Sequence, residues 1–243
     1  MKKITLVVLS LFASLGLASA VVADDHAPQA TMEGSFTTVM MASPDIGKYV
    51  DAIKKNVAPF QAMGASGAGY CVTQTGHEYD GQMMVWSAFS SVQAALVGGT
   101  KYDPSTAPRM FAKLRDVKYS VTWKPLKPFK LMPGYERVQR VRVAPQNVPA
   151  FLAAMTDFET ALQEGGHPDF FNGVFLGIGG GTHEAQTLML RSITPDAESH
   201  GAMFDEYFAG EASWAGAYLA VAQLIESVES DNFEICEQVY FGE

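Results

Sequence analysis

The segment Lys124-Pro125-Leu126-Lys127-Pro128-Phe129-Lys130-Leu131-Met132-Pro133-Gly134 lies near the middle of a chain of 243 residues. It contains three prolines in eleven residues, and proline cannot donate a hydrogen bond to a sheet interior. The segment therefore predicts an extended linker. We place a boundary at the Pro-rich residues 125–134, between a first unit at residues 35–124 and a second unit at residues 135–243.

The first unit begins with the strand-like run Phe36-Thr37-Thr38-Val39-Met40-Met41. Ser43-Pro44 then starts a stretch whose apolar residues recur at helical spacing. Two further strand-like runs flank a polar tip at residues 76–81, as in a hairpin. A weaker helical region at 91–115 precedes the strand Val117–Trp123. The predicted order is βαββαβ.

The second unit repeats this order. It contains a strand at Tyr135–Val143, a helix from about Gln146, hairpin strands at Phe171–Ile178 and Thr187–Ser192, further helical stretches, and a closing strand at Phe233–Phe241. The two hairpin tips also have similar sequences: Gly76-His77-Glu78 in the first unit corresponds to Thr182-His183-Glu184 in the second. The matching order of elements indicates a duplicated unit.

A single βαββαβ unit covers one face of its sheet with helices and leaves the other face bare. Two such units can bury their bare faces against each other. We therefore predict an α+β fold class with two tandem βαββαβ ferredoxin-like repeats, whose antiparallel sheets pack into an α/β barrel.

In this order of elements, residues 35–241 resemble the dimeric α/β-barrel superfamily of ferredoxin-like domains, in a tandem form with both halves on one chain. The resemblance rests on element order and on no diagnostic motif. Known members include cofactor-free monooxygenases, haem-handling enzymes, isomerases and proteins with no established chemistry. The resemblance thus implies a fold and leaves the function open.

The first 23 residues have the pattern of a secretory signal peptide. Lys2 and Lys3 precede an apolar run that ends near Leu17, and small residues follow at Ala18-Ser19-Ala20 and Val21-Val22-Ala23. The run is shorter than the roughly 20 apolar residues that a membrane anchor needs. We predict cleavage near Ala23, with Ala20 as the alternative, and a periplasmic or secreted protein without a membrane partner. Residues 24–34 are interpreted as a flexible leader.

Composition excludes two classes of protein. Hydrophobic residues make up 48% of the chain, which argues against disorder. The formal net charge is −9, with no basic stripe. Because nucleic acid attracts basic surfaces, we expect no nucleic-acid partner.

Cys71 and Cys236 are the two cysteines of the chain. In the ferredoxin-like strand order both lie on edge strands, and closing a two-sheet barrel can bring the edge of one sheet near the edge of the other. An exported chain meets an oxidising compartment. We therefore hypothesise a disulfide that joins the repeats; the alternative is two separate buried thiols.

The candidate ligand site lies inside the predicted barrel. Strand alternation places Arg140 and Arg142 opposite Val141, and Arg191 occupies the position of Trp86 in the other copy. We hypothesise a pocket whose cationic side is Arg140, Arg142 and Arg191 and whose apolar side is Met40, Met84 and Trp86. Such a pocket suits a small anionic or aromatic ligand. The arginines must pair either with a ligand or with internal carboxylates such as Glu234 or Glu237; the alternative is an exposed face with surface ion pairs.

No metal or cofactor motif is visible in the sequence. His77, His167 and His183 fall in turns, with neither an HExxH motif nor a paired spacing. We interpret these histidines as surface residues, and His200, in a helical stretch beside Glu198, as a solvated side chain. We expect no metal and no cofactor.

Three functions remain. The first is an exported module that binds a small molecule or a protein, with a pocket between the repeats. The second, implied by the resemblance, is a cofactor-independent monooxygenase or isomerase. The third is a haem-binding or haem-degrading protein.

Overall fold

The structure is a computed structural model that describes residues 31–103, 107 and 109–242. The predicted signal peptide, residues 1–23, and the leader up to residue 30 lie outside the described residues.

Eight strands and seven α-helices make up the described chain. In the first unit they are β1 (Ser35–Ala42), α1 (Ile46–Lys55), α2 (Ala58–Met63), β2 (Gly67–Thr75), β3 (Gln82–Phe89), α3 (Val92–Gly99), α4 (Arg109–Ala112) and β4 (Asp116–Pro125). In the second unit they are β5 (Gly134–Arg142), α5 (Val148–Glu164), β6 (Phe171–Ile178), β7 (Leu188–Thr194), α6 (Ala197–Ala209), α7 (Ala215–Ala222) and β8 (Ser227–Phe241).

The strands form a closed barrel in the order β1-β3-β2-β8-β5-β7-β6-β4. Each unit contributes four antiparallel strands in the ferredoxin-like order, and the units meet at two seams, β2 with β8 and β4 with β6. The predicted fold class is thereby confirmed. Closure pairs the edge strands of both sheets, so the barrel leaves no open edge.

Alternation along the strands separates two kinds of core. The inward face buries Trp123, Val138 and Phe175 in the middle of the barrel. The outward face packs against helices, around Tyr49 in the first unit and Phe151 in the second. The bare sheet faces therefore cover each other, and the helices lie outside.

The two ends of the barrel differ. Neighbouring strands run in opposite directions, so the β2–β3 and β6–β7 tips lie at the same end, where Glu78 and Glu184 line one small cavity. The linker crosses the opposite end. There Phe129 exchanges two backbone hydrogen bonds with Thr31, at 2.9 and 3.0 Å. The segment between the units thus closes one mouth of the barrel.

Two elements differ from the sequence prediction. The helical region at 91–115 contains two short helices, α3 and α4, in its described part. The last strand begins at Ser227, earlier than the predicted start at Phe233, because this part of β8 pairs with β5 through Arg142 and Ser227. Within the described chain, we find no helix that combines the length and the apolar character needed to span a bilayer.

Candidate functional site

Two arginines point into the barrel, and both are paired with carboxylates of the chain. Arg191 donates from Nε to Glu136 and from Nη2 to Glu234 at 2.9 Å. Arg140 donates to both oxygens of Glu184, at 3.1 and 3.0 Å. Burial alone would penalise these charges, and the ion pairs compensate for that penalty.

The interior next to these arginines is packed. A cavity of about 30 Å³ lies beside Arg191, Met84 and Trp86, and one of about 100 Å³ lies beside Arg140 and Met40. Typical small-molecule sites measure roughly 300–1,000 Å³. The space expected for an anionic ligand is therefore occupied largely by side chains. Carboxylates of the chain, and not a ligand, neutralise the two arginines.

Arg142 departs from the expected pocket. Its side chain is 38% exposed and pairs with Glu229 at 2.7 Å. Glu237, considered as an interior partner, is also at the surface and pairs with Lys54. β5 reaches the end of the barrel at Arg142, so the inward side of the strand there opens to solvent.

Cys71 and Cys236 form a disulfide. They lie directly opposite each other in the register of β2 and β8, so the bond crosses a seam between the repeats. The Nη2 atom of Arg191 lies 3.5 and 3.3 Å from the two sulfurs. The disulfide is thus enclosed in the barrel beside the buried ion pairs.

Two larger cavities lie outside the barrel, between the helices and the outward face of the sheet. The first, of about 510 Å³, is lined by the first repeat together with Ile178 and Gly179 of the second, and the second, of about 540 Å³, occupies the corresponding place in the second repeat. Both have the size of small-molecule sites. The sequence prediction missed them because the same apolar periodicity describes a helix that packs tightly and one that leaves a gap.

The second cavity is strongly aromatic. Its wall is built by residues of α5, α6, α7 and the N-cap of α7: Phe158, Phe204, Tyr207, Trp214 and Tyr218. Arg137 and Gln139 from β5 lie on its floor. Arg137 pairs with Asp231, and its guanidinium lies 5.5 Å from the centre of the Phe204 ring. A flat ring would meet aromatic faces on several sides.

His200 lines this cavity and is 2% exposed, so the expectation of a solvated side chain was wrong. Its Nδ1 lies 3.1 Å from the hydroxyl of Thr194, which also contacts the backbone oxygens of Asp196 and Tyr135. Carbonyl oxygens only accept hydrogen bonds, so this arrangement favours a Thr194 hydroxyl that donates to one of them and accepts from Nδ1–H.

The tautomer of His200 follows from this arrangement. With the proton on Nδ1, Nε2 carries a lone pair, and among the described residues no hydrogen bond reaches it. Burial, together with the charge of Arg137, lowers the pKa of His200 to about 4. The ring is therefore neutral at physiological pH and presents a proton or metal acceptor in an aromatic cavity.

Three other histidines of the described chain have partners away from the second cavity. His77 lies with Nε2 2.9 Å from the Thr73 carbonyl, and His167 lies 2.9 Å from Glu206. His183 stacks on Tyr119 at the open end of the barrel. None of these three lines the second cavity.

Only one group of candidate metal ligands occurs in the described part of the chain: Cys71, Cys236 and Glu234. Both sulfurs are in the disulfide, and Glu234 already pairs with Arg191. A thiolate, which would bind a metal, is absent from a disulfide, so this group does not form a metal site in this state.

No family model matches this chain, and no curated protein matches it. Several solved structures share its fold. A monooxygenase, so named provisionally, from Lactobacillus acidophilus NCFM has a TM-score of 0.57 at 11% identity, over 86% of this chain and 97% of that one. An anthrone oxidase-like protein has a TM-score of 0.54 at 11% identity, over 87% and 97%.

Chlorite dismutase from Candidatus Nitrospira defluvii, in complex with imidazole, has a TM-score of 0.51 at 9% identity, over 84% of this chain and 92% of that one. At such identities the likeness concerns the fold alone. Together with the observed strand order, it identifies this chain as a ferredoxin-like α+β barrel with both halves on one polypeptide.

Proposed function

We propose that this chain is an exported protein that binds a flat, weakly acidic aromatic compound in the second cavity and oxidises it with molecular oxygen, without a cofactor. The observation that carries the proposal is the neutral His200, whose ring lines an aromatic cavity of about 540 Å³ and whose Nε2 receives no hydrogen bond from the described residues. A phenolic O–H or an activated ring C–H is the group that such an acceptor recognises.

The proposed chemistry uses groups of this chain for the proton and the anion. Nε2 of His200 takes the proton of the substrate. The Thr194 hydroxyl holds the imidazole ring in place by its contact with Nδ1–H. The substrate anion forms near Arg137, and the negative charge of this anion favours the protonated form of His200. Oxygen then converts a CH₂ group into C=O: one oxygen atom enters the product, and the other leaves as water with the two hydrogens.

Two further observations support the proposal. The structural neighbours include an anthrone oxidase-like protein and a provisionally named monooxygenase. The disulfide supports the proposal of export, because such bonds persist in oxidising compartments.

Anthrone is a suitable probe for both binding and turnover. Binding is measured by quenching of Trp214, which lines the second cavity, and turnover by oxygen consumption. His200→Asn keeps an N–H that can donate to Thr194 and removes Nε2. We expect it to slow oxygen consumption by about 100-fold or more.

The control is His77→Asn, which changes an exposed histidine away from the cavity and should leave turnover unchanged. Binding without oxygen consumption would reduce the proposal to a small-molecule binding module. Absence of both binding and turnover would overturn it.

Haem binding is the second candidate, and the same Nε2 favours it. His200 would hold the haem iron through Nε2, with Thr194 as the partner that orients the ring. Arg137 could face a haem propionate, although Asp231 already pairs with it. When bound, haem would supply one-electron and oxygen chemistry. Titration with haemin distinguishes the candidates: a Soret band that His200→Asn abolishes would favour haem over the cofactor-free reaction.

A further inference from the structure

We propose that the first cavity is a second binding site with a different specificity: it takes an uncharged, flat compound that carries oxygen atoms along one edge. This inference does not depend on the function proposed for the second cavity.

A row of hydroxyl groups crosses the floor of the first cavity. Thr37 of β1 lies in register with Ser87 of β3 on one side and with Thr122 of β4 on the other. All three residues line the cavity. Residues opposite each other in antiparallel strands have Cβ atoms roughly 4.5–5.5 Å apart, so the hydroxyls are spaced regularly across three strands.

These hydroxyls have no protein partner. Ser87 is 4% exposed and Thr122 is 7% exposed, yet no hydrogen bond from a described residue reaches either side chain or that of Thr37. Among the described residues, the fully enclosed side-chain atoms without a partner are Thr73 Oγ1, Tyr79 OH and Asn172 Oδ1, so the oxygens of the floor hydroxyls keep contact with the open space of the cavity. A neighbouring serine in the same sheet shows the contrast, since the Ser35 hydroxyl donates to the Trp123 carbonyl at 2.7 Å. The row is therefore available to a molecule in the cavity.

The rest of the lining sets the shape and charge of that molecule. Apolar side chains of α1, α2 and α4 form the roof: Ile53, Phe60, Met63 and Phe111. Arg115 donates to the hydroxyls of Tyr49 and Tyr102, and Asp103 lies on the same lining. One acid and one base leave the described lining without net charge. An uncharged ring system between roof and floor fits these surfaces.

Each floor hydroxyl can donate or accept a hydrogen bond. Carbonyl, ether and hydroxyl oxygens are therefore all suitable partners, provided that two of them lie about as far apart as two neighbouring strands. A plain hydrocarbon would fill the same space but cover the floor hydroxyls without pairing them, which costs binding free energy.

The corresponding row of the second cavity differs. There Arg137 of β5 lies between Ser192 of β7 and Phe233 of β8. The serine is shared, but the central hydroxyl is replaced by a guanidinium paired with Asp231 and the third by an aromatic ring. Duplication has thus produced two cavities of nearly equal volume with different floors, so we expect them to select different ligands.

The test compares coumarin, an uncharged bicyclic lactone with two oxygens, with naphthalene, a hydrocarbon of similar ring size. Methyl NMR locates each probe, because Val39 and Val85 line the first cavity and Leu190 lines the second. We expect coumarin to shift the Val39 and Val85 signals and to bind more tightly than naphthalene.

Ser87→Ala and Thr122→Val remove one hydroxyl each with little change in volume. Each should weaken coumarin binding about fivefold, leave naphthalene binding unchanged, and retain the unfolding midpoint. Ser192→Ala is the matched control in the second cavity and should change neither affinity at the first. The proposal is overturned if coumarin fails to bind there, or if folded Ser87→Ala and Thr122→Val proteins bind it as tightly as the unmodified chain.

Discussion

His200 lies on α6 near the exposed Glu198, and the helical pattern there resembles that of any surface helix. The residue is nevertheless buried, because its ring packs against Tyr135, Phe204 and Phe233, which come from β5, α6 and β8. Two of these contacts join residues that are distant in sequence. Its neutral state and its free Nε2 are therefore consequences of tertiary packing.

Acid should destabilise the protein through His200. Its folded pKa of about 4 lies below the ordinary value of 6.5, so the unfolded chain takes up a proton at a higher pH than the folded chain does. The stabilisation is complete above pH about 6.5 and is lost as the pH falls toward 4, with a total of roughly 3 kcal/mol. Urea unfolding across this range measures the effect.

His200→Asn removes the titrating group and should show a shallower loss of stability between these pH values. His77→Asn keeps His200 and should follow the unmodified protein. A parallel loss in all three proteins would assign the acid sensitivity to other groups.

The interior arginines show what alternation along a strand can predict. It indicates which side of β5 carries Arg140, and the structure has this side chain in the barrel. Alternation does not say what the side chain meets there. Glu184 is 44 residues away and Glu234 lies 43 residues from Arg191, so pairing within the chain depends on the closed barrel.

At the level of elements, the β2–β8 seam joins the first repeat to the last strand of the chain. β8 is 15 residues long and pairs with β2 on one side and with β5 on the other. The disulfide fixes this seam where Cys71 faces Cys236. β8 begins earlier than the predicted Phe233 because its first residues pair with β5, before the pairing with β2 starts at Phe233.

Removing the disulfide should lower stability without changing the fold. Its cysteines are 165 residues apart, and closing so long a loop restricts the unfolded chain by about 5 kcal/mol in the chain-entropy model. The double variant Cys71→Ser/Cys236→Ser should therefore unfold at a lower urea concentration. The unmodified protein, unfolded with a reductant, should approach the same midpoint. Equal stability of the oxidised protein and the double variant would contradict this.

At the scale of the whole molecule, each repeat provides the cover for the inward face of the other. Trp123 from the first unit and Phe175 from the second are both fully buried in the shared interior. A half on its own would expose this surface to water, at roughly 25 cal/mol for each Å² of apolar area.

The halves 35–124 and 135–243, each with its cysteine changed to serine, should therefore be unfolded or self-associated when made separately. Mixed together, they should form a one-to-one complex with the circular dichroism of the intact barrel. Light scattering after size-exclusion chromatography gives the stoichiometry. Two stable monomers that do not associate when mixed would show that the barrel is not needed for folding.

The sequence by itself determined the order of elements, the duplication and the linker, because these depend on local periodicity and on proline chemistry. Tertiary structure alone decided that Glu184 and Glu234 would pair with the interior arginines, that Arg142 would reach solvent, and that the spacious cavities would lie outside the barrel. These outcomes depend on how far apart two packed surfaces remain and on which distant side chains meet, and neither quantity is encoded in a pattern along the chain.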